Sequence, residues 1–274
     1  MYRTMLLTGT AALALAASGA TAQNACTTGN TIEDGVLTIA TGNPAYYPWV
    51  MNNDPESKEG FEASVAYAVA NEMGYSDDQV VWTRSSFDQA IQPGAKNYDF
   101  NLQQFSITAA RDKVVDFSVP YYSAAAAVLT RQPTADAGAT NTLSSLSGLK
   151  WGAAASTTAP SMIETLIGPE DSLLLYDDSA DVVEAMKANQ IDASLFDLPT
   201  ALYLSAVTLD DGVLVGQFPP AMSENPDQFG LVLEDGSPLK TCVDAAIIAL
   251  EEDGTLAALE SEWLAAATGV PVIE

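Results

Sequence analysis

The strongest constraint on the fold is an alternation of strand and helix patterns that occurs twice along the chain. Val36-Leu37-Thr38-Ile39-Ala40 reads as a strand, followed by the aromatic loop Asn43-Pro44-Ala45-Tyr46-Tyr47-Pro48-Trp49. A helix is expected from about Glu62 to Met73, because Val65, Val69 and Met73 recur one turn apart and Gly74 supplies a stop. Val80 to Thr83 is the next strand, Phe87 to Ile91 a short helix and Tyr98 to Leu102 a further strand. That order implies a parallel sheet flanked by helices. The second copy begins after Thr140, with strands at Leu149–Ala153, Ser172–Tyr176 and Ile191–Phe196. Helices are expected at Ala159–Ile167 and Ser179–Asn189, and Asp197 opens another that runs through Ala206.

Two extended apolar segments, Ala124–Arg131 and Phe229–Leu233, bracket the second copy. They read as paired crossings of a hinge. The final helices, Thr241–Glu252 and Thr255–Leu264, carry Val243, Ile247, Leu250, Leu256, Leu259 and Trp263 on one face and return to the first copy. The expected organisation is therefore a discontinuous first lobe, residues 23–126 and 223–274, with residues 127–222 inserted as a second lobe. Open α/β sheets bind ligands at the carboxyl ends of their strands, so the cleft between the lobes is the natural site.

The first residues bear on destination. Arg3 precedes a largely apolar run from Met5 to Ala17, and Ala20 and Ala22 sit at the small-residue positions of a cleavage site. Residues 1–22 read as a signal peptide for export to the periplasm. The run is too short to span a bilayer, and no other stretch is long enough, so no stable membrane insertion is expected. In an exported chain the two cysteines, Cys26 and Cys242, suggest a disulfide that staples the N-terminal segment to the final helices. A lipid-anchored Cys26 is the rival reading, and Gln23-Asn24-Ala25 lacks the usual apolar lead-in to it.

Composition excludes several functions. The formal net charge is −26, from ten Lys plus Arg against 36 Asp plus Glu. Nucleic acid and anionic membrane surfaces repel such a chain. Histidine is absent, which removes the commonest general base and the commonest metal ligand.

Gly60-Phe61-Glu62, Ser106-Ile107-Thr108-Ala109-Ala110-Arg111 and Val115-Asp116-Phe117-Ser118-Val119-Pro120-Tyr121-Tyr122 follow one another at characteristic distances. Ser156-Thr157-Thr158, Ile191-Asp192-Ala193-Ser194-Leu195-Phe196-Asp197 and Asp253-Gly254-Thr255-Leu256 with Trp263 continue the series. In order and spacing these motifs make the chain similar to the polar-amino-acid family of periplasmic solute-binding proteins that serve ABC transporters. The resemblance covers nearly all of the mature chain. It implies a type II periplasmic-binding-protein fold, two α/β lobes joined by a two-strand hinge that close around a ligand. It further implies a monomer that delivers a free amino acid to an ABC transporter permease in the inner membrane, with no metal or organic cofactor.

An amino-acid zwitterion needs two opposite fixed charges, because burying either end unpaired is costly. Under the resemblance, Arg111 grips the α-carboxylate through two parallel hydrogen bonds, and Asp197 takes the α-ammonium. Asp197 also suits a helix N-cap. Ser156, Thr157 and Thr158 are expected to add hydroxyl and backbone N–H donors, although Ser and Thr there also serve as ordinary caps. Ser106 belongs to the same segment as Arg111. Tyr46 is the best-matched aromatic wall, with Tyr47, Trp49 and Phe87 as secondary candidates. Gln103 and Gln104 stand where the family often has small residues, which either adds hydrogen bonds or reduces volume. Gly42-Asn43 stands where many relatives carry an Asp, and this favours a neutral amino acid over a basic one. A dehydratase-like enzyme on the same fold is the alternative from another class, and it would need an acid and a base drawn from carboxylates, tyrosines and lysines alone. A sensory ligand-binding protein is the third reading.

Overall fold

The computed structural model describes residues 26–220, 227–264 and 269–274; the expected signal segment lies outside them. The first lobe is built on a five-stranded sheet of β1 (Leu37–Thr41), β2 (Val80–Arg84), β3 (Phe100–Asn101), β4 (Asp116–Phe117) and β12 (Val232–Leu233), in the order β2-β1-β3-β12-β4. β1 runs parallel to β2 and β3, whereas β12 is antiparallel to β3 and β4. Leu37 and Ile39 of β1 are buried in one cluster with Val65 and Val69 of the helix Phe61–Glu72 and with Val243 and Ile247 of the helix Lys240–Glu252. The final helices therefore pack on the first lobe, and Cys26 is disulfide-bonded to Cys242.

The aromatic loop is tied to the start of the first long helix. The Trp49 carbonyl accepts from the backbone N–H of Glu62 at 2.9 Å and of Ala63 at 3.2 Å. Gly60, just before that helix, has φ +103°, and a Cβ there would come within 2.6 Å of the Trp49 oxygen. No other residue type fits this junction without moving the loop.

In the second lobe β6 (Ala126–Arg131) lies between β9 (Ala193–Asp197) and β10 (Gly212–Phe218), antiparallel to both. β7 (Gly152–Ala154) and β8 (Leu174–Tyr176) are parallel, and a bridge from Trp151 to Ala193 joins them to β9. This lobe is thus mixed rather than a second parallel sheet. β10 is absent from the sequence reading, because Gly212 and Gly216 make its apolar run resemble a loop. Its register is irregular between Leu214 and Gly216, and a Cβ on Gly216 would meet Ile273 at 2.3 Å. The helices expected at 159–167 and 197–206 form as Ala159–Met162 and Leu198–Tyr203, each continued by a wider π turn.

The segment Phe229–Leu233, read as one strand, is two. β11 (Asp227–Phe229) pairs antiparallel with β5 (Tyr122–Ala124) between the two lobe sheets. The chain then turns at Gly230, where a Cβ would press on Ile107 and the Ser118 carbonyl, and enters the first sheet as β12. The last residues depart from the expected lobe boundary. Pro271 and Ile273 exchange backbone hydrogen bonds with Gln217 of β10, Glu274 bonds Asn141 and Leu143, and Ile273 is buried in the second-lobe core.

Candidate ligand-binding site

Between the lobes lies a cavity of about 580 Å³. Of the residues singled out in the sequence, Tyr46, Trp49, Phe87, Gln103, Gln104, Ser106, Arg111, Ser156, Thr157, Thr158 and Asp197 line it, and Tyr47 does not. Of the secondary aromatics, Trp49 is fully buried and reaches the cavity wall, whereas Tyr47 stacks on Tyr203 with ring centroids 4.8 Å apart.

Arg111 begins a short 3₁₀ turn in the first lobe and is only 9% exposed. One guanidinium nitrogen donates to the Ser106 carbonyl at 2.8 Å and the other to the Ser156 carbonyl, across the cleft, at 2.7 Å. Its face lies against the Phe87 ring, 5.3 Å from the centroid, and Phe87 itself packs on Phe105. Phe87 is therefore a support for Arg111 as well as a wall. Burial lowers the guanidinium's proton affinity, and the nearby Asp227 raises it again. The charge is locked in orientation by carbonyls and ring, as a carboxylate clamp requires.

Across the cavity, Asp197 closes β9 and caps the helix Leu198–Tyr203 by accepting from the Thr200 backbone N–H at 2.8 Å. The cap role and the cleft position coincide. Burial raises its carboxyl to about 6, against hydrogen bonds from Thr200 that lower it, and Asp227 adds to the rise. A cationic nitrogen in the cavity is the natural counter-charge for this carboxylate.

The two hydroxyl candidates separate. Thr157 donates to the Ala154 carbonyl at 2.8 Å and accepts from Ala159 N, so its side chain is spent on the local turn. Thr158 points into the cleft, with its hydroxyl 3.4 Å from the Ser106 hydroxyl and 3.3 Å from a carboxylate oxygen of Asp227.

Gln104 is held at φ +53°, a left-handed conformation that favours the small residue the family often has there. Glu62 holds it in place, accepting from the Gln104 backbone N–H at 2.7 Å and from its side-chain amide, and also from the Tyr121 hydroxyl. Gln103 donates to Asn101 at 3.0 Å, and its amide fills the space beside Gly42. Both glutamines thus serve the wall of the cavity.

Sequence reasoning missed four contributors: Glu62, Thr200, Tyr203 and Asp227. Glu62 was visible only as part of a helix-opening motif, yet it is 1% exposed and lines the cavity, and burial pushes its carboxyl up to about 7. Tyr46 keeps a raised phenol because of burial and the neighbouring Asp178 and Asp181. Among the described residues no group of three or more Cys, Asp or Glu is arranged to hold a metal ion. Among the same residues no helix is long and apolar enough to cross a membrane.

The family model described as bacterial extracellular solute-binding proteins, family 3, matches residues 37–266. The chain belongs to this family. The L-cystine-binding protein TcyJ of Escherichia coli (strain K12) is 27% identical over 236 residues, covering 85% of this chain and 84% of the relative. The ABC transporter arginine-binding protein 1 of the same strain is 26% identical over 211 residues, covering 74% and 81%. Among solved structures, an ancestral amino acid-binding protein described as a precursor of cyclohexadienyl dehydratase superposes with a TM-score of 0.65 at 24% identity. It covers 84% of this chain and 95% of its own. The family match and the shared architecture give this member the two-lobed type II periplasmic-binding-protein fold.

Proposed function

We propose that this protein captures a free amino acid in the periplasm and presents it, as a monomer without a cofactor, to an ABC-transporter permease in the inner membrane. One arrangement carries the reading: Arg111 from the first lobe and Asp197 from the second line the same cavity, a positive and a negative anchor for one zwitterion. Among the described residues, the first lobe on this reading comprises 26–126 with 227–264, and the second comprises 127–220 with 270–274. Closure follows because only the closed form lets the ligand touch both anchors, and a ligand favours the state it binds more tightly.

The lean of Gly42-Asn43 towards a neutral ligand is opposed by the rest of the wall. Asp88, Asp177 and Asp178 line the cavity in addition to Asp197, and Arg111 is the sole cationic side chain among the described lining residues. This balance favours an amino acid that carries a second positively charged nitrogen. Binding without turnover is the proposed activity: the buried carboxyls lie beside charged-ligand anchors, and no thiol is free among the described residues.

The test is a thermal-shift screen of the mature, ligand-stripped protein against the twenty amino acids and cystine. A ligand that binds only the native state raises its melting temperature by mass action. The proposal expects a rise with arginine, lysine or cystine above that with leucine or glutamate. No rise with any amino acid would remove the proposed function.

A further inference from the structure

Asp227 has no place in the zwitterion clamp, yet it stands inside it. It opens β11, the strand that pairs with β5 between the lobes, and its carboxylate lines the cavity. Thr158 of the second lobe donates its hydroxyl to Asp227 Oδ2 at 3.3 Å. The Thr158 hydroxyl is also 3.4 Å from that of Ser106 in the first lobe, a contact in which either oxygen can be the donor. Arg111 and Asp227 attract one another, and the hydroxyls of Ser106 and Thr158 favour the ionised carboxylate, partly offsetting its burial. A negative oxygen from the protein therefore already bonds Thr158 and stands in the field of Arg111, two of the groups that an incoming carboxylate needs.

We infer that Asp227 is an internal stand-in for the ligand's α-carboxylate, holding the empty protein closed and competing with the ligand for Arg111, Ser106 and Thr158. The inference rests on the amino-acid reading of the cavity. Two carboxylates cannot share this small donor set without repulsion in a partly dry site. Ligand entry thus requires Asp227 to leave Thr158, and because Asp227 belongs to the inter-lobe pair, its release is a movement of that pair. The contact stabilises a closed state that the ligand cannot use. Removing it weakens the closed empty form and strengthens binding at once, whereas loss of an ordinary supporting residue weakens binding.

The experiment compares the wild type with D227N and D227S, the second variant serving if the first fails to fold. Small-angle scattering of ligand-stripped protein reads the empty state, and titration calorimetry with the best amino acid from the screen reads affinity. The expected result is a larger radius of gyration for the empty variants, together with affinity raised about tenfold, the scale of a hydrogen bond to a charged group. Variants that stay as compact as the wild type, or that bind more weakly, overturn the inference. The scattering comparison needs no ligand. If no amino acid binds even the wild type, the proposed function falls, while the compactness of the variants still decides whether Asp227 holds the lobes together.

Discussion

Trp49, buried in the first lobe, donates its indole N–H to the Thr200 hydroxyl at 2.8 Å, one helical turn beyond Asp197 in the second lobe. The Asp197 carboxylate accepts from Thr200 N, and the Thr200 hydroxyl beside it favours the ionised form. Trp49 is itself held edge-on by Phe61, Tyr122 and Phe229, so the relay starts from a rigid point. Its consequence is that the orientation of the ammonium anchor depends on the lobes being closed.

Thr200→Val tests this relay. It keeps the shape of the side chain but leaves the buried Trp49 N–H without its partner and removes the hydroxyl that favours the ionised Asp197. Amino-acid affinity should fall about fivefold to thirtyfold, corresponding to about 1–2 kcal/mol for a buried donor left without its partner. Calorimetry measures it, and an unchanged dissociation constant would show that the relay is incidental.

Arg111→Lys separates charge from geometry. Lysine retains the positive charge but cannot bond the Ser106 and Ser156 carbonyls while offering a parallel fork to a carboxylate. Binding should weaken by about 2–5 kcal/mol, nearly as much as in Arg111→Ala. A lysine variant that binds like the wild type would place the carboxylate elsewhere.

The buried carboxyls predict opposite pH trends for the empty and liganded protein. Glu62 is raised from 4.5 to about 7 and Asp197 from 3.8 to about 6, in both cases chiefly by burial. The folded state therefore holds protons that the unfolded chain has released. The stabilisation from these groups is complete below about pH 4 and is lost as pH rises through 6 and 7. Ionising Glu62 alone costs on the order of 3 kcal/mol. An ammonium ligand reverses the preference at Asp197, so its affinity should increase as pH rises through about 6, with protons released on binding. Melting scans and calorimetry in buffers of different ionisation enthalpy would detect both trends. Glu62→Gln should remove the component near pH 7 and leave the one near pH 6.

Reduction of Cys26–Cys242, which are 216 positions apart, frees the N-terminal segment from the helix Lys240–Glu252. The unfolded chain regains the entropy of a very long loop, and stability should fall by about 2–5 kcal/mol. Melting temperature with and without reductant checks this; equal values would mean that packing alone holds the segment.

Periodicity made much of the fold legible. The helix Phe61–Glu72 falls almost where Val65, Val69 and Met73 place it, and β1, β2 and β9 lie within a residue or two of their apolar runs. β10 was hidden because its glycines answer to close contacts, Gly212 with Ser205 and Gly216 with Ile273, far away in sequence. The break between β11 and β12 was hidden for a related reason, since Gly230 lets the backbone approach Ile107 and the Ser118 carbonyl, both remote in sequence. In the site, Arg111, Thr158 and Asp197 sit in ordered motifs and could be found. Asp227 is one carboxylate among 36 acidic residues, with no motif around it. Glu62 in a first helical turn has an ordinary explanation in the helix dipole; its contact with the left-handed Gln104 appears only once the chain is folded.

The disulfide fixes Cys26 to the first lobe, while Glu274 is hydrogen-bonded to Asn141 and Leu143 of the second. Residues 26 and 274 are thus handles on different bodies. Their separation is itself a coordinate for opening, so a pair of dyes placed there would read ligand capture one molecule at a time. Tension applied between the same two points would load the β5/β11 pair before it peeled either core.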